Sequence, residues 1–406
     1  MNLLLLQKKQ KKNEDYTGII RYIRHTVKAL ESSFCILECK EGAYEPLSPE
    51  GSSIEDVFLQ LVRLGIGIKT NASISGVVKW DEVETLAEQQ GLSAILLDGV
   101  ETLTEEHRPK EEFLLQWIGR VIQDESFFSL QKEVAVDMAK LFHRNGIKTY
   151  VLKGAVVSEC YPKPNHRVSV DIDCYLLPDK SDFDAWSLGN DLIRAKGFWV
   201  NTDFYKNSSF EISGVNIENH QFLTPFRGNK RLAEFERLLQ IYMSRDKGEN
   251  VMEGTYLYRP PVMVTSLFLI EHAYSHFLHT GLTWRFVLDW ALFRKKHVSE
   301  IDWNTFNALI DEFGFRKFYD SFFRIGRYLL GDLTETNLTN SDKRMLSDIW
   351  APLDLHETVH GIKGKLSMVG NTWRARWKYD YFAEISMIHA LWIQVKAFLF
   401  IKHPKI

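Results

Sequence analysis

With 406 residues, 45% of them hydrophobic and 25% charged, the chain has the make-up of a globular protein with room for two or three cored regions. Its formal charge of -3 gives no global basic field, which argues against non-specific holding of long nucleic acid. The four cysteines, Cys35, Cys39, Cys160 and Cys174, form no Cys-x-x-Cys pair and have no histidines at zinc spacing. Free thiols in a reducing compartment are therefore expected.

The chain opens on four leucines followed at once by Gln-Lys-Lys-Gln-Lys-Lys12. That apolar run is too short for a signal segment, and its charges stand on the wrong side. No stretch reaches the roughly 18 uncharged apolar residues of a membrane span, so a cytoplasmic protein is expected. Residues 1–50 suggest one helix over 16–30 and then a Gly/Pro-broken segment. Ser52-x-x-Glu55 looks like a capping box, opening a helix with Val57, Leu61 and Leu64 inward and Gly65 as its stop. Asp81-x-x-Glu84 would open a second helix ending near Gly91, and residues 111–123 a third.

A helix over 129–145 follows, with Val134, Met138, Leu141 and Phe142 on one stripe and Asn145-Gly146 as its end. Residues 147–152 read as a short buried strand. Lys153-Gly154 then turns into a helix over 155–160. A glycine before a helix lets backbone N–H groups approach a triphosphate, or it simply makes a tight turn. Lys153 is a candidate point charge for a phosphate, or an exposed lysine. Arg167 ends an irregular Pro-containing run; its fork suits a phosphate, an aspartate held in place, or a surface ion pair.

The next segment, Ser169-Val-Asp-Ile-Asp-Cys-Tyr-Leu-Leu177, is apolar and β-prone but carries two acids. Alternation along a strand puts Asp171 and Asp173 on one face, roughly 6–7 Å apart. Like charges so placed repel and lose hydration. A divalent cation relieves both costs, and paired carboxylates suit Mg²⁺ or Mn²⁺; a wet acidic edge strand is the plainer reading. A covering helix is expected over 181–197. Residues 198–222 then alternate as two strands joined near Asn207-Ser-Ser209. In the second strand Glu218 and His220 share a face, so Glu218 is a candidate third carboxylate and His220 a group to orient it or touch substrate.

From Pro225 the pattern is helical to the end, broken at Arg259-Pro-Pro261. A long helix over 262–280 carries His272, His276 and His279, but Ala273 after His272 rules out the His-Glu-x-x-His zinc pattern. Arg285 and Asp289 stand at i, i+4, the spacing of a helix ion pair. Trp373-Arg-Ala-Arg-Trp-Lys-Tyr-Asp-Tyr381 interleaves cations with rings, before an apolar helix over 385–401. That tail reads as buried, or as a partner-binding or membrane-surface helix pair.

Leu152-Lys-Gly154, Tyr161-Pro, Arg167 and Asp171-Ile-Asp173 together resemble a bacterial family of uncharacterised nucleotidyltransferases, a branch of the polymerase-β-like superfamily. The resemblance spans roughly residues 80–292. The superfamily's turn carries a serine after its glycine; here Ala155 stands there. The resemblance implies that Asp171, Asp173 and Glu218 hold two Mg²⁺ or Mn²⁺ ions. It implies that Lys153, Gly154, Arg167 and His220 serve nucleotide binding, and that His276 and Arg285 form the far wall of the cleft.

The fold expected is α+β: a small mixed β-sheet nucleotidyltransferase core over residues 126–230. Mainly helical regions over 1–125 and 231–406 would flank it. The function expected is transfer of a nucleoside monophosphate from an NTP to an acceptor hydroxyl with release of pyrophosphate. The acceptor is left open among a small molecule, a protein and an RNA end. The alternatives are a nucleotide-binding scaffold without turnover, and a partner- or membrane-surface-binding protein acting through the aromatic-basic tail.

Overall fold

The computed structural model describes residues 52–180, 182–226, 228–246, 248, 252–351 and 375–400. The helix expected over 16–30, Cys35, Cys39, Trp373 and Arg374 lie outside the described residues. All described residues belong to one compact unit within Gly51–Ile406. The described parts of the three expected spans lie within that unit.

Three helices lead into the core. Helix α1 (Ile54–Gly65) is capped by Ser53, whose hydroxyl accepts from the Asp56 N–H. The cap thus sits one residue later than the expected Ser52 box, and Ser52 bonds Ser75 instead. Helix α2 (Trp80–Gln89) starts without a side-chain cap. Helix α3 (Ser93–Glu101) is the one that sequence periodicity missed. All its residues but Glu101 are buried, and a helix buried all round shows no stripe. It crosses α1 where Gly65 meets the Ile95 backbone and Gly99 meets the Leu61 backbone.

Helix α4 (Glu111–Arg144) is continuous over 34 residues, merging the two helices expected at 111–123 and 129–145 and crossing the boundary placed at 125. The reason is local: Asp124-Glu-Ser-Phe-Phe128 contains neither Gly nor Pro to break the ladder.

The sheet is β1 (Ile147–Val151), β2 (Asp171–Pro178), β3 (Asn207–Ile212), β4 (Val215–His220) and β5 (Leu257–Tyr258), in the order β3-β4-β2-β1-β5. β1 runs antiparallel to β2, β2 parallel to β4, β3 antiparallel to β4, and β5 parallel to β1. The edge strand β5 is drawn from beyond residue 230, so the sheet is not confined to the expected core span. The β3–β4 turn is Ser213-Gly214, with φ of 54° and 81°, while the expected turn residues Asn207 to Ser209 lie inside β3. A two-residue turn with both φ positive matches strand twist, and the Ser-Gly dipeptide was its signal.

One sheet face packs on α4 and on α6 (Ala185–Ala195). Ile172, Cys174 and Leu176 of β2 join Phe142 and Ile193 there. The opposite face carries Asp171, Asp173 and Tyr175. Tyr175 joins the larger core of the C-terminal helices. Those helices are α7 (Lys230–Ser244), α8 (Val262–His279), α9 (Trp284–Lys296), α10 (Trp303–Glu312), α11 (Arg316–Leu330), α12 (Asn340–Trp350), α13 (Arg376–Phe382) and α14 (Met387–Phe400). The one-turn helix α5 (Ala155–Ser158) links β1 toward β2. Strand alternation therefore sends apolar side chains to one layer and the acids toward the other.

The basic tail is not a free cationic surface throughout. Lys378 is buried, its Nζ donating to the Phe277 carbonyl at 2.8 Å and to Asp348 at 2.7 Å. Trp377 packs edge-on to Phe277. No helix among the described residues is long and apolar enough to cross a membrane.

Candidate active site

Parallel pairing of β2 with β4 sets Asp173 directly opposite Glu218, and Asp171 opposite Asn216. Asp173 is 3% exposed. Its Oδ1 lies 2.9 Å from His220 Nε2, and its Oδ2 lies 2.9 Å from Lys153 Nζ. Oδ2 has no aligned hydrogen bond; the Lys153 contact is an ion pair. Glu218 Oε2 stands 3.5 Å from His220 Nε2, with its side chain 32% exposed. Asp173, Glu218 and His220 each offer a ligand atom within 4.8 Å of the others. The other His220 nitrogen, Nδ1, is 3.2 Å from the Phe222 carbonyl. An imidazole anchored through one nitrogen and facing carboxylates with the other is the usual posture of a metal-binding histidine. The donor set of Asp173, Glu218 and His220 thus fits a divalent cation; Asp171, expected as a ligand, is not in that group.

Lys153 follows β1, which Leu152 extends by donating its N–H to the Asp173 carbonyl. Its ammonium also lies 4.0 Å from Asp171 Oδ1 and 3.5 Å from His272 Nε2. Burial pulls the Lys153 pKa down, but Asp173 and Asp171 more than offset this and hold it raised. Burial pushes the Asp173 carboxyl up, yet Lys153 and His220 hold it well below the usual range. Burial and the neighbouring Asp173 charge push Asp171 up. The His220 ring beside Glu218 pulls that carboxyl down. The pair is thus split into one firmly ionised acid and one that ionises less readily, as two close carboxylates must be.

These groups line a cavity of about 330 Å³ between the sheet and helices α8 and α9, within the range of small-molecule sites. The sheet side gives Lys153, Asp171, Asp173, Lys206 and Glu218; the helix side gives Glu271, His272, His276, Arg285 and Phe286. Burial pushes the His276 pKa down to about 4 and that of His272 down as well, so both rings are neutral. Gly154, with φ of 48°, makes the turn into α5 and is not among the lining residues. A single helical turn has little dipole to offer a phosphate.

Arg167 is where the expected roles shift most. It is buried, and it donates from Nε to Asp289 Oδ1 at 2.8 Å and from Nη2 to Oδ2 at 2.7 Å. Tyr161 adds a hydrogen bond to Asp289 Oδ1 at 2.7 Å. The expected helix pair of Arg285 with Asp289 is not formed; Asp289 bonds Arg167 and Tyr161 instead. Arg167 Nη1 is buried without a hydrogen-bond partner, and the residue is one of those lining the cavity. Arg285 makes one long contact, Nη1 to the Val168 carbonyl at 3.4 Å. It has no ion pair among the described residues. The Arg285 guanidinium and Arg167 Nη1 thus keep donors that no group among the described residues takes.

Lys206 and Glu271 went unnoticed in the sequence. Glu271 did leave a trace, as a lone acid in the apolar run Leu267-Phe-Leu-Ile-Glu271. Lys206 left none, being one lysine in an irregular segment.

A family model described as uncharacterised nucleotidyltransferase matches residues 77–331. The chain belongs to that family. No curated protein and no solved structure matches it. The uncharacterised nucleotidyltransferase match contains the whole sheet, α8 and α9, and hence every cavity residue named above. It reaches beyond the expected end near residue 292 to the end of α11.

Proposed function

We propose that this chain is a metal-dependent nucleotidyltransferase that moves a nucleoside monophosphate from an NTP to an acceptor hydroxyl, releasing pyrophosphate. The observation that carries the reading is the facing pair Asp173–Glu218, with His220, at the floor of a cavity whose walls add Arg285 and Lys206, neither of them in an ion pair among the described residues. Asp173, Glu218 and His220 would hold Mg²⁺ or Mn²⁺, with Asp171 beside them. When bound, such an ion neutralises phosphate charge and orients the attacking and leaving oxygens.

The chain's own groups then do the rest by position and charge. Arg285 and the free edge of Arg167 take non-reacting phosphate oxygens, and Lys206 stands ready for the departing pyrophosphate. The acceptor oxygen forms its bond to the α-phosphorus as the Pα–O–Pβ bond breaks. The hydroxyl proton passes to Glu218, the most exposed carboxylate of the metal-ligand set, and on to solvent. A second reading, a nucleotide-binding scaffold without turnover, draws on the Lys153 ammonium standing 2.9 Å from Asp173 Oδ2, where a metal would otherwise supply the positive charge.

The test is incubation of the full chain with each of four α-labelled NTPs and Mg²⁺ or Mn²⁺. Label is followed onto the protein itself, added RNA and small hydroxyl compounds. Metal-dependent transfer that disappears in Glu218→Gln supports the enzyme reading. Binding without transfer to any acceptor supports the scaffold, and no nucleotide binding at all defeats both.

A further inference from the structure

We infer that Glu271 is the base-reading group of this cavity, hydrogen-bonding the edge of a nucleobase that packs against the rings of His272, His276 and Phe286. The inference rests on the nucleotide reading of the site given above.

Glu271 lies in α8, 3% exposed, and lines the cavity. Among the described residues it has no hydrogen bond and no ion pair. A second buried acid nearby shows the contrast. Glu236 of α7 is met by four donors: Leu223 N–H, Thr224 N–H, the Thr224 hydroxyl and the Gln240 amide. Buried carboxyls are normally satisfied in that way, so an unsatisfied one facing a cavity awaits a partner from outside. Its surroundings suit a base. The Phe286 ring centroid is 5.5 Å from that of His272 and 4.8 Å from that of His276. The rings are tilted to one another, Phe286 by 39° to His272 and 42° to His276, with the two imidazoles edge-on at 69°, so a base meets one ring face and the edges of the others.

The chemistry of the carboxyl says which base fits. Burial, with Glu236 adding repulsion and Lys206 opposing, pushes Glu271 up to about 8. His272 beside it on α8 is neutral, and Arg285 faces the same cavity from α9. A protonated carboxyl offers one donor and one acceptor. Adenine and cytosine each place an amino donor next to a ring-nitrogen acceptor, which is its complement. A carboxylate offers acceptors only, and guanine answers it with N1–H and N2–H side by side. Glu271 thus favours an amino-bearing base while protonated and yields that preference on ionising.

The experiment measures binding of the α,β-methylene analogues of ATP, CTP and GTP, which cannot be turned over, to the full chain with Mg²⁺. It is run on either side of the Glu271 midpoint. The wild-type ratio of ATP to GTP affinity should fall about tenfold as pH rises through that midpoint, the worth of one hydrogen bond. Glu271→Gln keeps a donor and an acceptor at every pH, so its ratio should hold the low-pH value throughout. Glu271→Leu should lose the preference. A ratio in Glu271→Gln that falls with pH just as in the wild type would overturn the inference, even if Glu271→Leu proves too unstable to use. Nucleotide binding with selectivity unchanged in either variant would also sink it while leaving the nucleotide cavity standing. Absence of binding by every analogue overturns the cavity reading together with this one.

Discussion

A guanidinium taken out of water costs several kcal/mol unless its donors are met, and Arg167 meets that requirement at Nε and Nη2 through both Asp289 oxygens. Its neighbourhood raises rather than lowers its pKa: burial pulls it down, but Asp289 outweighs this. Removing one partner leaves the other charged and buried. Arg167→Ala and Asp289→Ala should therefore each cost about 3–5 kcal/mol of stability. An apolar pair such as Arg167→Met with Asp289→Leu should cost much less than the sum. Urea titration of the single and double variants decides this, and additive losses would show that the two side chains act separately. Asp173→Asn follows the same logic: with Lys153 and His220 as its partners, the apo protein should lose stability. Glu271 behaves oppositely. Its folded pKa is raised from 4.5 to about 8, so the folded state binds the extra proton between those values. Its contribution is complete below pH 4.5 and lost as pH rises through about 8. Glu271→Gln should remove that part of the pH dependence, seen as wild-type and variant melting temperatures that diverge towards alkaline pH with the variant higher.

At the scale of elements, two contacts remote from the site fix how helices pack. The α1–α3 crossing relies on Gly65 and Gly99, because a Cβ at either would run into facing backbone. Backbone cannot swing aside as a side chain does, so Gly99→Ala should destabilise by at least the about 1–3 kcal/mol of ordinary overpacking. A change in denaturation midpoint measures it, and a neutral result would mean that the helices slide freely. The second contact is Lys378, which ties α13 to the C-terminal end of α8 through Phe277 and to α12 through Asp348. It explains why the ring-and-cation tail packs inward over its described part.

For the molecule as a whole, the cavity has one wall from the sheet and another from α8 and α9. A ligand touching both should stabilise the entire unit. At a concentration 100 times its Kd, a nucleotide–metal complex is worth about 2.7 kcal/mol. Thermal unfolding with Mn²⁺ and a non-hydrolysable NTP should show a cooperative rise. Glu218→Gln should lose the metal-dependent part of that rise, read against the variant's own apo melting temperature. An undiminished shift in that variant would place the metal elsewhere.

What the sequence determined by itself is what repeats locally. The period-two apolar pattern around Asp171 and Asp173 required both acids on one strand face, and the stripe from Val134 to Phe142 required a helix ending at Asn145-Gly146. The Lys-Gly, Arg and Asp-x-Asp spacing pointed to the family. These follow from neighbours a few residues apart, and backbone geometry transmits them directly. The tertiary structure decided which groups meet. Register between β2 and β4 put Glu218 and His220 against Asp173, with Lys153 completing the ion pair. Folding set two donors of Arg167 against Asp289, 122 positions along the chain. Burial also left Glu271 without a donor in the cavity. Charges respond to desolvation and to whatever lies within a few ångströms, and a linear pattern carries neither quantity.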